Sequence, residues 1–222
     1  MAAPLRLALF DCDGTLVDSF AAMHDAMGAA CAECGQVAPT SDQHRAVMGI
    51  PPRLQMQRFY PQLDPAQHQP IVDAFFRHFR GAAQVEPLYA GAREVLQQLD
   101  TAGWLMGVAT AKSSRGLQKN LDDHGLHHHF LTLQTIDTNP AKPNPEMVLK
   151  AMRSLGVDMA NTVMIGDSIY DMEMARNAGV LPIGVAWGYH DARSLTAAGA
   201  RTIAPDFASL PALLAELMPC GS

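Results

Sequence analysis

The stretch "LALFDCDGTLVDS", residues 7–19, decides how the rest of the chain is read. Four apolar or small residues run straight into Asp11 and Asp13, and a Gly-Thr pair follows. The apolar run reads as a buried strand, here over residues 5–10. A strand inside a sheet carries unpaired carboxylates only at a cost of several kcal/mol per buried ion. Either the strand ends at Phe10 and the aspartates reach solvent, or they meet a cation or a partner. Asp-x-Asp-Gly also suits a plain strand-ending turn, because Asp and Gly favour turns.

The chain has 222 residues, enough for one large domain or for a domain carrying an insertion. Hydrophobic residues make up 48% and charged residues 17%, which supplies a sizeable core. The net charge of −6 argues against nucleic acid as a partner, since phosphate backbones need clustered Lys and Arg. The only lysines are Lys112, Lys119, Lys142 and Lys150, all in the second half. No apolar run reaches membrane-span length, and the N-terminal "MAAPLRLALFD" is too short for a signal sequence. Cys12, Cys31, Cys34 and Cys220 make no disulfide framework. A cytoplasmic protein with no membrane partner is therefore expected. Cys31-x-x-Cys34 lacks a second pair to complete a metal site and reads as two helix-face cysteines.

After Thr15 the pattern turns helical. Residues 18–86 read as four helices, "FAAMHDAMGAACAECG", "SDQHRAVMG", "PPRLQMQRFY" and "DPAQHQPIVDAFFRHFRG", the last disturbed early by Pro70. From residue 87 strands and helices alternate: "WLMGVAT", "FLTLQT", "TVMIGD", "VLPIGVAWG" and "RTIAP" are strands separated by amphipathic helices. Such alternation implies an α/β fold, a Rossmann-like parallel sheet with helices on both faces. The first strand belongs to that sheet, so residues 1–17 and 87–222 form the core and residues 18–86 an inserted helical bundle.

In open parallel sheets, ligands bind beyond the carboxyl ends of the strands. Asp11, Asp13, Thr110 and Asp167 each follow directly on an apolar strand. Carboxylates converging from two strands repel unless a hard cation lies between them. Oxygen-only ligation by Asp11, Asp167 and the backbone carbonyl of Asp13 suits Mg²⁺, whose remaining positions are commonly shared with substrate phosphate. Thr110 offers a hydroxyl beside a helix start, and Lys142, held between two prolines, offers an aimed ammonium for phosphoryl oxygens. Asp11 is then the candidate nucleophile, forming an acyl phosphate. Asp13 is the candidate acid/base for the leaving group and water.

With these residues in order, the sequence resembles the haloacid dehalogenase superfamily, in its phosphatase branch with a helical cap inserted after the first motif. "DCDGTLVDS", "VATAK", "AKPNPEM" and "GDSIYDMEMARNAG" match its four motifs, and the resemblance covers essentially the whole chain. It implies Asp11 as nucleophile, Asp13 as acid/base, Thr110 and Lys142 as phosphate ligands, Asp167 as Mg²⁺ ligand, and Asp171 as a further acidic residue supporting the metal or the lysine. Within the superfamily it is most similar to phosphoglycolate phosphatase-like proteins, acting on a small phosphorylated metabolite. Ala111 stands where many relatives carry Asn, which bears on the substrate more than on the chemistry.

Rival functions can be weighed on residues. Haloalkanoate dehalogenases lack an aspartate at the position of Asp13. Phosphonatase-type relatives need a cap lysine, and residues 18–86 contain none. Phosphomutases of the β-phosphoglucomutase type remain the alternative, although their cap histidine would align with Met23, one place from His24. A non-enzymatic scaffold would usually have lost Asp11 or Asp167. In the bundle, Arg53 is a candidate for a second anionic group on the substrate, and Arg45 reads as a solvated helix residue. Trp187 suits either the site rim or the core. The histidines of "DDHGLHHHF" read as a polar loop, since adjacent side chains cannot all reach one ion.

Overall fold

Every side chain from Leu7 to Phe10 is fully buried, so β1 (Arg6–Phe10) is covered on both faces. A computed structural model, describing residues 4–81 and 85–219, places it inside a six-stranded sheet. The other strands are β2 (Trp104–Thr110), β3 (Thr132–Thr135), β4 (Thr162–Gly166), β5 (Leu181–Val185) and β6 (Thr202–Ala204). Their order is β3-β2-β1-β4-β5-β6 and every pairing is parallel. The order reverses direction at β1, which makes the crevice beyond β1 and β4 the natural ligand position.

Strand side chains alternate between faces, and the two cores follow that alternation. Ala8 and Phe10 pack with α5 (Ala92–Thr101), α6 (Ser114–His124) and α10 (Leu210–Leu217). Leu7 and Leu9 pack with α7 (Glu146–Leu155) and α8 (Ile169–Ala178) on the opposite face. A shorter helix, α9 (Ala192–Ala198), leans on β5 and β6.

The chain leaves this sheet directly after β1. The Cys12 carbonyl accepts from the N–H groups of Leu16 and Val17, closing a tight turn. Val17 bridges Leu88 in antiparallel fashion, and Asp18 N–H donates to the Pro87 carbonyl. The outgoing and returning segments therefore run side by side. Between them lie α1 (Phe20–Glu33), α2 (Ser41–Arg45), α3 (Pro52–Phe59) and α4 (Pro65–Gly81). They enclose a core of their own, built on Met27, Cys31, Met56, Ile71 and Phe75.

Two local expectations are corrected. The second inserted helix stops at Arg45 instead of continuing to Gly49, because Gly49 takes φ +92° and Pro51 follows. Pro70 does not interrupt α4: one missing N–H is outweighed by the buried stripe of Ile71, Val72, Ala74 and Phe75. Among the described residues, no helix is long and apolar enough to cross a membrane. Leu96 of α5 is fully buried in the larger core. Leu96→Ala should therefore cost about 2–5 kcal/mol of stability, measured by urea unfolding.

Candidate active site

β1 and β4 end in register, with Phe10 opposite Ile165, and Asp11 N–H continues the ladder to the Ile165 carbonyl. The next residues are therefore adjacent: Asp11 beyond β1 and Asp167 beyond β4, 2% and 0% exposed. Lys142 is buried beside them. Its ammonium stands 2.9 Å from Asp11 Oδ2 and 2.6 Å from Asp171 Oδ1. Asp171 is fixed by the capping box of α8, where its Oδ2 accepts from Ser168 N–H and Oγ–H. Asp167 accepts from Thr15 Oγ at 3.0 Å and from Tyr189 N–H at 2.9 Å.

Asp11, Asp167 and Asp171 each bring one oxygen within 4.8 Å of the others. Burial pushes Asp11 up to about 6 against the pull of Lys142, with Asp171 adding to the rise. Burial also lifts Asp167 well above the usual carboxylate range, helped by Asp171 and Asp11. For Lys142, burial favours the neutral amine, but Asp11 and then Asp171 outweigh it and hold the ammonium above its ordinary value. Three buried carboxylates around one ammonium leave excess negative charge with only oxygen donors. That donor set fits a hard divalent cation such as Mg²⁺.

Above this floor is a cavity of about 650 Å³, a size ordinary for small-molecule sites. Asp11, Asp13, Thr110 and Ala111 face it from the sheet, while Arg53 and the phenylalanines of α4 face it from the insertion. Thr110, at the end of β2, is fully buried, and its Oγ accepts from Lys112 N–H at 3.2 Å. Asp13 Oδ1 accepts from Ser19 Oγ–H at 2.7 Å and from Lys112 Nζ at 2.6 Å. Lys142, Asp167 and Asp171 are buried beneath the cavity wall.

Comparison with known proteins bears on what this edge is. The family model of haloacid dehalogenase-like hydrolases matches residues 8–185. The chain belongs to that family. It is 32% identical to a phosphoglycolate phosphatase of Agrobacterium fabrum, over 97% of this chain and 95% of that protein. It is 33% identical to the probable phosphatase IndB of Dickeya dadantii, over 92% of this chain and 91% of that protein. In fold it is similar to the crystal structure of a predicted phosphatase from Clostridium acetobutylicum, with TM-score 0.86, 24% identity, and 96% and 99% of the two chains covered.

Within this haloacid dehalogenase-like frame Arg45 takes a place other than the sequence implied, while Trp187, the histidines and Cys31 take definite ones. Arg45 is not a free surface residue: its guanidinium stacks 3.8 Å over the Phe20 ring, and its carbonyl meets His190 Nε2. Trp187 packs on Phe207 and donates to the Thr15 carbonyl, so it braces the turn that carries Asp13. His124, His127 and His129 engage the Glu86 carbonyl, Asp122 and Asp100 separately. Cys31 meets the Tyr60 hydroxyl, Cys34 ends α1, and Cys220 lies outside the described residues. His24 stacks on Phe20 and turns its Nδ1 to His44, which burial and then His24 lower to about 4.

Sequence reasoning missed Lys112, although it ends the quoted "VATAK", and it missed the Asp13 partner Ser19. It also missed the two glycines that make room for Asp167. A Cβ on Gly14 would stand 2.3 Å from Asp167 Oδ2, and one on Gly188 would stand 2.1 Å from Asp167 Cβ. Gly14 has φ +83°, so a side chain there is strained as well as crowded. Gly188→Ala should displace Asp167 and, on the Mg²⁺ reading of this donor set, weaken Mg²⁺ activation about 10–100-fold, as second-shell losses do. A Mg²⁺ titration of phosphatase activity reads this directly, and an unchanged half-saturation point would refute it.

Proposed function

We propose that this protein is a Mg²⁺-dependent phosphatase that hydrolyses a small phosphomonoester through an aspartyl-phosphate, in the manner of a phosphoglycolate phosphatase. The observation that carries the reading is the buried Asp11, paired with Lys142 and flanked by Asp167, opening onto a cavity that Thr110 also faces. Mg²⁺, held by Asp11, Asp167 and the Asp13 carbonyl with Asp171 behind them, would neutralise charge between the carboxylates and the incoming phosphate. The substrate class is a small phosphorylated metabolite of the cytoplasm.

The chain's own residues supply the rest. Thr110 and Lys142 draw the phosphoryl group against Asp11. An Asp11 carboxylate oxygen bonds to phosphorus as the bond to the leaving oxygen breaks, and Asp13 gives that oxygen a proton. Water then attacks the phosphorus, Asp13 takes its proton, and Asp11 departs as a carboxylate with release of inorganic phosphate. Residues 18–86 act as a cap over the core of residues 1–17 and 87–222, keeping bulk water from the first step. A mutase would require a cap group to handle a sugar hydroxyl. The cap has no lysine, and His24 is engaged with Phe20 and His44.

Asp11→Asn should abolish turnover of p-nitrophenyl phosphate while leaving thermal unfolding essentially in place, since a neutral amide is a poor nucleophile. Near-normal activity in a folded Asp11→Asn protein would exclude the aspartyl-phosphate route. Arg53 is exposed, sits in the first turn of α3, and lines the cavity. Arg53→Ala should lower kcat/KM roughly ten- to a hundredfold for phosphoglycolate, whose carboxylate loses a charge-assisted hydrogen bond. An aryl phosphate without a second anion is the internal control, and an equal fall for both substrates would make Arg53 a support of the cap.

A further inference from the structure

We infer that Lys112 and Glu86 are positioning residues that clamp the Asp13 carboxylate, aiming one of its oxygens at the leaving group. The inference rests on the reading of Asp13 as the acid/base. Asp13 sits on the turn just past β1, where its side chain has no strand neighbours to hold it. Its Oδ1 nonetheless receives two donors, Ser19 Oγ–H at 2.7 Å and Lys112 Nζ at 2.6 Å. Among the described residues, no hydrogen bond reaches Oδ2. One oxygen is thus fixed, and the other is left for the proton that must pass to the leaving oxygen.

Lys112 is itself held from the far side. Its ammonium also stands 2.9 Å from Glu86 Oε2, and the same oxygen accepts from Asn120 Nδ2 at 2.8 Å. The side chains of Lys112, Asp13 and Glu86 are 7%, 14% and 11% exposed. An ammonium so far removed from water is tolerable only with carboxylate partners, and it has two. Lys142 already supplies the cation next to Asp11, whereas Lys112 is committed to Asp13 and Glu86. Ser19 lies on the segment leaving for the insertion and Glu86 on the segment returning from it. The clamp therefore closes where the two connections run side by side, and it draws on residues separated by almost the whole insertion.

In the step concerned, the Asp11–phosphorus bond forms, the bond from phosphorus to the leaving oxygen breaks, and the proton on Asp13 Oδ2 moves to that oxygen. An alkoxide leaving group needs this proton, and a nitrophenolate does not. The test compares turnover of phosphoglycolate with the pre-steady-state burst of nitrophenolate from p-nitrophenyl phosphate. For Lys112→Met, phosphoglycolate turnover should fall about ten- to a hundredfold, within the range general acid catalysis supplies, while the burst rate changes by less than about threefold. Lys112→Arg should recover part of the loss, and Glu86→Gln should show the same split to a smaller degree. If Lys112→Met does not fold, the double variant Lys112→Met/Glu86→Gln, which removes both charges, serves in its place. An equal fall in both reactions would make Lys112 a substrate ligand and overturn the inference, and so would no change in either. Asp13→Asn separates the two levels: if it lacks the leaving-group split, the acid/base reading itself has failed.

Discussion

A single buried ammonium among three buried carboxylates is the constraint around which this molecule is arranged. Lys142 pairs with Asp11 and Asp171, and Asp167 stands within reach of both acids. Breaking such a pair by removing one partner strands a charge away from water and typically costs 3–5 kcal/mol. The arrangement persists because each acid is satisfied by a different part of the fold. The capping box of α8 holds Asp171, the Thr15 hydroxyl and Tyr189 N–H hold Asp167, and the end of β1 presents Asp11. The N-terminus of α8 adds a favourable field for the negative charge gathered there. What remains unbalanced is the feature a divalent cation and a phosphate dianion can use.

Sheet order explains why these groups meet. Reversal at β1 sets β1 beside β4, so two acids separated by most of the chain become neighbours through backbone register alone. Small residues then decide how close they come. Gly14 and Gly188 surround the Asp167 side chain at distances no Cβ would tolerate. Trp187 braces Thr15 from behind, so the turn carrying Asp13 is anchored to the larger core. The floor of the site is thus rigid because it is built from strand ends, a helix cap and packed aromatics.

This geometry also explains which parts of the site the sequence displays. Asp11, Thr110 and Asp167 each follow an apolar strand, so local pattern and topology together place them at one edge. The alternation of strands and helices was equally legible, because burial on both faces writes long apolar runs. The clamp on Asp13 was not legible. Lys112 and Glu86 are 26 residues apart and Asp13 and Lys112 are 99 apart, and no local pattern links such pairs. Arg45 looked solvated because a helix arginine usually is, and only the packing of Phe20 against Tyr189 and Met48 shows what it covers. The early end of α2 and the unbroken α4 are tertiary effects, where a turn and a buried stripe overrode local propensity.

The two sides of the cavity differ in kind, and on the proposed mechanism that difference separates chemistry from selection. Below, Asp11, Lys142 and Asp171 pair with one another and Asp167 stands beside them, all with almost no exposure. Above, the insertion contributes Phe75, Phe76 and Phe79 with the exposed Arg53, side chains that carry no part of the charge balance around Lys142. Substitution of Arg53, Phe75 or Phe76 on the upper side leaves the ion pairs of Lys142 undisturbed, because the two sets of residues share no hydrogen bond. The Asp13 clamp is the exception, since Ser19 and Glu86 belong to the connections and Lys112 to the core. On the proposed mechanism, the group that protonates the leaving oxygen is therefore held at the seam between the two sides.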